Sequence, residues 1–286
     1  MTQAPFRPRR SVLFLPASNA RALEKAKTLP CDVVAIDLED ASAPETKAAS
    51  RDAVVAAIAA GGFGRREVVV RVNGLDTPWG EADLKAMSEA GPDAVLVPKI
   101  ANAGDVARYD GRLSHAPDKT RLWVMIETAR ALFHLDSIAA ASANTRLACM
   151  AMGPNDLARE TGFRLGGARE PLWAAMSTTV AAAHAYGLTA LDGVFNSLDD
   201  AEGLTRECEQ ARTFGFDGKT LIHPNQIAPC NKVFSPSAAE IAWAQAVIAA
   251  FADPANAGRS VLRVDGGMVE GMHLVQAERL IAAAQA

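Results

Sequence analysis

Only four cysteines stand in the 286 residues, and no two of them repeat at a CxxC spacing. Cys31, Cys149, Cys208 and Cys230 therefore form neither a zinc ribbon nor a disulfide framework, and all four read as reduced, structural thiols. Aromatic residues make up 6% of the chain, and no lysine- or arginine-rich block is interleaved with them. The electrostatic footprint of a nucleic-acid-binding surface is missing. Positive charge is not in excess either: the formal net charge is −4 and the sequence pI is near 5.8. No uninterrupted apolar stretch approaches the ~18 residues that a bilayer-crossing helix needs. The opening 1–10 is basic and contains proline, but only the run 11–15 follows it before Pro16, too short for a secretory signal core. These absences predict a cytoplasmic protein without membrane or nucleic-acid partners. Histidines show no HxH or HExxH spacing, so zinc is not expected. Gly61-Gly-Phe-Gly64 follows a helical pattern rather than a strand, which excludes a dinucleotide fingerprint.

What is present is a high apolar content, 49%, beside 22% charged residues. Eight short runs rich in Val, Ile, Leu or Met fall at 11–15, 32–38, 67–72, 93–98, 121–126, 146–152, 188–192 and 218–223. They are continuously apolar rather than alternating, the pattern of strands covered on both faces by helices. Between them lie helical patterns with starts at Asn19, Pro44 and Asp199-Asp200 and stops at Gly61-Gly62, Gly187 and Gly215. Eight βα units with no long structureless loop predict a closed (β/α)8 TIM barrel over 1–252. Residues 237–252 read as its last helix. Beyond it, 253–286 reads as a linker and a C-terminal lid segment: a strand-like run at 261–264, a turn at Asp265-Gly-Gly and a final helix.

Several strand runs end at a group suited to an oxyanion or a metal, and in such a barrel the carboxyl ends of the strands converge. Glu127 follows Trp-Val-Met-Ile, where a carboxylate is severely desolvated unless a cation or several donors compensate it. Asp156, in Gly153-Pro-Asn-Asp156, lies just past the next strand. Two carboxylates with waters and substrate oxygens are a usual way to hold Mg²⁺; the alternative for each is an arginine salt bridge or a helix cap. Arg71 ends the third run, where its fork can grip a carboxylate or an enolate oxygen, or pair internally with Asp37, Glu39 or Asp40. Those three acids are ambiguous between direct chemistry and orienting Arg71 or metal-bound water. Lys99 is either a Schiff-base amine or, beside acids and a metal, a charged structural group. His223 is either a proton shuttle or a hydrogen-bonded loop residue. Arg21 and Lys25, four apart on the first helix, offer charge to a nucleotide diphosphate or are simply solvated.

Taken in order, Ser11-Val-Leu-Phe-Leu-Pro16, Asp37-Leu-Glu-Asp40, Val70-Arg-Val-Asn73, Pro98-Lys99, Ile126-Glu-Thr-Ala129, Asn155-Asp-Leu157 and Gly218-Lys-Thr-Leu-Ile-His-Pro224 resemble the citrate lyase beta-subunit-like proteins of the HpcH/HpaI aldolase superfamily. The resemblance runs from about residue 9 to 250. It implies a TIM barrel and a Mg²⁺-dependent enzyme that cleaves or forms a carbon–carbon bond beside a thioester of the malyl-, citramalyl- or citryl-CoA class. It further implies Glu127 and Asp156 as metal ligands, Arg71 as the substrate-binding arginine, Arg21 and Lys25 in the region that contacts coenzyme A, and a homotrimer or larger homo-oligomer. Two departures stand out. Gly266-Gly-Met268-Val-Glu270 carries Glu270 where malyl-CoA-type relatives have a lid aspartate serving a neighbouring subunit, and Ala17 replaces a glycine at what the resemblance makes the thioester entrance. The expected reaction is a retro-Claisen cleavage with Arg71, Glu127, Asp156 and Glu270 as catalytic residues; proton transfer falls to Glu270, with Asp37 or solvent as the other routes. Thioester hydrolysis on the same site, a non-catalytic thioester-binding subunit and a phosphate-binding isomerase are the rivals.

Overall fold

Continuous β-branched runs such as Val33-Val-Ala-Ile and Val68-Val-Val can be buried on both faces only if a sheet is wrapped by helices and closed on itself. The computed structural model describes residues 7–285, so the chain ends at 1–6 and 286, including most of the basic opening, lie outside the described residues. In it the eight runs are parallel strands: β1 (Ser11–Pro16), β2 (Val33–Asp37), β3 (Glu67–Arg71), β4 (Ala94–Val97), β5 (Arg121–Ile126), β6 (Leu147–Met152), β7 (Thr189–Asp192) and β8 (Gly218–Leu221). Each pairs with the next, and β1 pairs with β8, which closes the barrel. Its interior is filled by Val12, Val33, Ala35, Val69, Leu96, Trp123, Met125, Cys149, Ala151 and Leu191. Small residues on β2, β4 and β6 leave room for the fully buried Trp123.

The amino-terminal mouth is plugged. Arg9 grips Glu67 at the start of β3 through Nε and Nη2 (2.7 and 2.8 Å), reaches Thr189 Oγ1 at the start of β7 (2.8 Å), and lies 4.9 Å over the Trp123 ring. The opposite mouth opens on a cavity.

Helices α1 (Ala20–Ala26), α2 (Lys47–Ala60), α3 (Gly80–Ala90), α4 (Ala103–Arg112), α5 (Ala129–Leu132), α6 (Leu135–Ala140), α7 (Pro154–Thr161), α8 (Trp173–Ala185) and α9 (Ala201–Phe214) occupy the crossovers. Their ends carry the chemistry read from sequence: Asn19 Oδ1 accepts the Ala22 N–H (3.0 Å), Asp200 Oδ1 accepts that of Gly203 (2.7 Å), and α9 stops where Gly215 takes φ 97°. All four cysteines are free and buried.

The described residues divide into two compact units, Arg9–Asn231 and a second one holding 232–285 together with 7–8. The division falls at 231/232, whereas the sequence reading places it at 252/253. The apolar stretch 224–252 is long enough to cross a bilayer by composition, yet it is two helices, α10 (Ile227–Phe234) and α11 (Ala238–Ala252), broken at Ser235-Pro236-Ser237. Pro236 cannot continue a helix, and Ser237 with Glu240 forms a capping box that starts the next. Ala244 and Val247 of α11 then pack with Leu262, Val264, Val269 and Ala277. Those partners come from an antiparallel hairpin, β9 (Val261–Val264) and β10 (Gly267–Glu270), and from α12 (Gly271–Gln285). The buried side of α11 thus belongs with the tail, which sequence periodicity did not reveal; β10 was likewise unforeseen.

Candidate active site

At the carboxyl ends of the strands a cavity of ≈ 290 Å³ opens, walled by Phe14 and Pro16 of β1, Asp37 at the end of β2 and Asp40 after it, Arg71 of β3, Met125 of β5 and Glu127 directly after it, the segment Gly153–Asp156, and Val194 and Asn196 after β7. All belong to the barrel unit. The volume is at the low end for ligand pockets, enough for a small hydroxy acid and not for a nucleotide.

Arg71 is held from three sides. Its Nε and Nη2 donate to Asp37 Oδ1 and Oδ2, both at 2.7 Å, while Nη1 lies 2.9 Å from Glu39 Oε2 and Nη2 lies 3.3 Å from Asp40 Oδ2. Phe14 supports the guanidinium from one face at 5.0 Å. Asp37 is itself fixed by the N–H groups of Glu39 (2.9 Å) and Ala41 (3.0 Å). Burial works against the Arg71 charge, but the three acids outweigh it and raise its pKa, so the guanidinium stays protonated. Of the two alternatives for Arg71 the internal ion pair is present, and the same anchored side chain also lines the cavity. Beneath the acids, buried Lys47 donates to the carbonyls of Leu38 (3.0 Å) and Glu39 (2.8 Å) and to Asn73 Oδ1 (2.6 Å), fixing the β2 loop.

Glu127 is 2% exposed at the end of β5. Its Oε1 accepts the Lys99 N–H at 2.8 Å; Oε2 takes no hydrogen bond from a described residue. Lys99 reaches this geometry in the left-handed region, φ 51°, and its ammonium pairs with Glu39. Burial first, then the charges of Glu39 and Asp156, push the Glu127 carboxyl up to about 7 against the pull of the Lys99 amide and Arg71. Room for Glu127 comes from Gly153, where a Cβ would lie 2.5 Å from Glu127 Cβ and 2.6 Å from Oε2. Asp156 stands in the first turn of α7, largely buried, with Oδ1 bonded at 2.5 Å to Arg159, which is 74% exposed. Lys99 also has its pKa raised, because the Glu39 pair overrides desolvation, and a protonated amine is not a Schiff-base nucleophile.

These residues fit a divalent cation. Glu127 offers an open oxygen in a cradle that a side chain at position 153 would fill, Asp156 lines the same cavity, and the surrounding acids exceed the cations. Among the described residues no group of three or more His, Cys, Asp or Glu side chains gathers as ligands. A two-carboxylate grip, completed by water and substrate, is the Mg²⁺ pattern.

A family model described as HpcH/HpaI aldolase/citrate lyase matches residues 10–224. The chain belongs to this family. It is 46% identical over 279 residues to a (3S)-malyl-CoA thioesterase of Cereibacter sphaeroides, covering 98% of this chain and 95% of that one. It is 33% identical over 307 residues to an L-malyl-CoA/beta-methylmalyl-CoA lyase of the same species, covering 98% and 96%. Among solved structures, protein CitE from Mycobacterium tuberculosis in complex with magnesium, acetoacetate and coenzyme A matches with a TM-score of 0.75 at 30% identity, over 100% of both chains. The HpcH/HpaI family is thus an enzyme family with members named as thioesterases and as lyases.

The remaining expected residues of this HpcH/HpaI enzyme are placed as follows. Arg21 and Lys25 are exposed on α1, directly after the strand that gives Phe14 and Pro16 to the cavity, and neither lines it. Ala17 is buried and absent from the cavity wall, so its methyl does not narrow this space. His223 Nδ1 accepts the Asn225 N–H at 3.2 Å, the hydrogen-bonded loop role. Glu270 is an exposed residue of β10 in the second unit, its N–H donating to His273 Nδ1 at 2.9 Å. Sequence reasoning missed Asn196, whose amide exchanges hydrogen bonds of 2.8 and 3.2 Å with Asn155 on the cavity wall. A lone asparagine after a strand carries no signal of its own. Gly153 was quoted only as part of a motif, although a glycine immediately after an apolar strand and before Pro-Asn-Asp marks a close approach.

Proposed function

We propose that this enzyme acts on β-hydroxyacyl-CoA thioesters of the malyl type in a Mg²⁺-dependent reaction, and that its net reaction is hydrolysis of the thioester. The observation that carries the reading is the convergence of Glu127, Asp156 and Arg71 on one small cavity. Held by Glu127 and Asp156, Mg²⁺ would supply a Lewis acid for the substrate's oxygens. Arg71 binds the distal carboxylate in a position fixed by Asp37, and the Lys99 amide orients Glu127 so that Oε2 faces the ligand. The cavity takes the acyl group; Arg21 and Lys25, on the surface of the first βα unit, suit the diphosphate of coenzyme A.

The choice of bond is supported by the 46% identity to the malyl-CoA thioesterase against 33% to the lyase over a similar share of the chain. Glu270, where the resemblance expects the lyases' aspartate, weighs the same way, since a reacting group displaced by about one methylene is costly. The retro-Claisen reading remains the second one, favoured by the shared Glu127, Asp156 and Arg71 motifs. Incubation with malyl-CoA and MgCl₂ separates them. Hydrolysis gives free thiol and malate in equal amounts, whereas glyoxylate formed at the rate of substrate loss would establish the lyase. In either case Arg71→Met or Glu127→Gln should lower kcat/KM by roughly 10²-fold or more.

A further inference from the structure

Three anions surround Arg71, and they are not equivalent. Asp37 and Glu39 are 4% and 9% exposed, whereas the Asp40 side chain is 62% exposed. Asp37 takes two hydrogen bonds of 2.7 Å, while Asp40 approaches Nη2 only to 3.3 Å and makes no hydrogen bond to it. A guanidinium has five N–H donors, and Asp37 uses one on Nε and one on Nη2. The other Nη2 hydrogen and both on Nη1 are in ion-pair contact with Asp40 and Glu39 and donate no hydrogen bond to a described residue. The inner edge of Arg71 is therefore saturated and rigid; its outer edge is neutralised but unspent.

We infer that Asp40 is a displaceable stand-in for the ligand's carboxylate: it neutralises the outer edge of Arg71 and swings into solvent when a dicarboxylate takes that edge. The inference rests on the proposed role of Arg71 in binding substrate. An exposed, off-axis ion pair is worth little, so giving it up taxes binding only slightly. A hydrogen-bonded carboxylate gains the two-point geometry that Asp40 lacks. Asp40 also tunes selectivity: a ligand without a carboxylate cannot repay even that small loss, so neutral-ended acyl groups leave Asp40 where it is. Asp37 cannot play this part, because the Glu39 and Ala41 amides hold it in place.

Malonate, with saturating MgCl₂, is a suitable probe for calorimetric titration of the full chain. Wild type should bind it, and Arg71→Met should weaken it at least tenfold. Asp40→Asn should bind it roughly twofold to fivefold more tightly, the loss of a competing surface ion pair, and Asp40→Glu should match wild type. Since Asp40 is exposed, its variants should melt with wild type. A crystal structure with malonate should show a malonate carboxylate on Arg71 Nη1 and Nη2 with Asp40 turned away. If Arg71→Met leaves malonate affinity unchanged, both this inference and the proposed function's use of Arg71 fall. If Arg71→Met weakens binding but Asp40→Asn is equal to or weaker than wild type, or Asp40 stays on Arg71 beside bound malonate, the stand-in role alone is overturned.

Discussion

Glu127 carries the sharpest consequence at the scale of a single residue. Burial holds its carboxyl up at about 7, above the ordinary 4.5, so between those values the folded protein keeps a proton that the unfolded chain releases. Stability must then fall as pH rises from about 4.5 to about 7, and the cost is fully present above it. At about 1.4 kcal/mol per unit the penalty is on the order of 3 kcal/mol for this buried group. In metal-free protein, Glu127→Gln should therefore melt higher than wild type at pH 8 and match it near pH 4.5; melting curves across that range check the claim, and parallel curves would refute it. Gly153→Ala tests the same geometry from the other side. Its Cβ would meet Glu127 Cβ at 2.5 Å and Oε2 at 2.6 Å, so Glu127 must leave its rotamer, at an overpacking cost of roughly 1–3 kcal/mol. Catalysis should drop at least as far as in Glu127→Gln. Arg71 and Glu127 stood out in the sequence because a charged residue closing an apolar strand run is costly to bury, and Asp156 because it follows the next strand by four residues; the structure brings all three to one cavity. The choice between anchor and ligand-binder for Arg71 was not legible, since it depends on Asp37 lying 34 positions away.

Among the secondary-structure elements, the strands were the easiest to read and the ion pairs that bind them to helices the hardest. Continuous Val, Ile and Leu runs located all eight strands, because burial on both faces leaves no freedom in composition. Nothing in the sequence linked Arg169, Asp192, Glu207 and Lys219. In the structure Lys219 of β8 bonds Asp192 at 2.6 Å and Glu207 of α9 at 3.0 Å, and Arg169, from the loop before α8, donates to Asp192 at 2.9 and 3.0 Å. Lys219 and Arg169 are 0% and 3% exposed. Burial would raise the Asp192 carboxyl, but the two cations hold it below the usual range. Lys219 thus owes its place in the Gly218-Lys-Thr motif to packing rather than to chemistry on a ligand. Breaking one partner of a buried network leaves the other charges uncompensated, so Lys219→Met should cost roughly 3–5 kcal/mol, and adding Asp192→Leu should recover part of it. Denaturant titrations of the single and double variants would show this; a double variant no more stable than the single would count against it.

For the molecule as a whole, the barrel is built around a mouth short of positive charge. Asp37, Glu39, Asp40, Glu127 and Asp156 gather about Arg71 and Lys99, with exposed Arg159 paired to Asp156 and buried Lys47 spent on backbone carbonyls and Asn73. The fold tolerates this imbalance because the rest of the barrel unit is well packed, from the Arg9 plug at one end to the closed sheet. The boundary expected at 252/253 could not be settled from sequence, because a helix as evenly apolar as α11 does not show which neighbour covers it, and α11 packs with β9, β10 and α12. A divalent cation that binds the folded mouth and not the unfolded chain must stabilise the entire cooperative unit. At a hundred times its Kd the gain is about 2.7 kcal/mol, which for a chain of this size is a rise in Tm of roughly 5 °C or somewhat more. The rise should grow with the logarithm of MgCl₂ concentration. It should also be larger at pH 8 than at pH 6, because below about 7 the cation must displace the proton that Glu127 retains. Glu127→Gln and Asp156→Asn should each remove most of the shift while leaving the barrel folded. A wild-type Tm indifferent to millimolar MgCl₂ at pH 8, or a shift preserved in both variants, would mean that the two carboxylates do not share an ion.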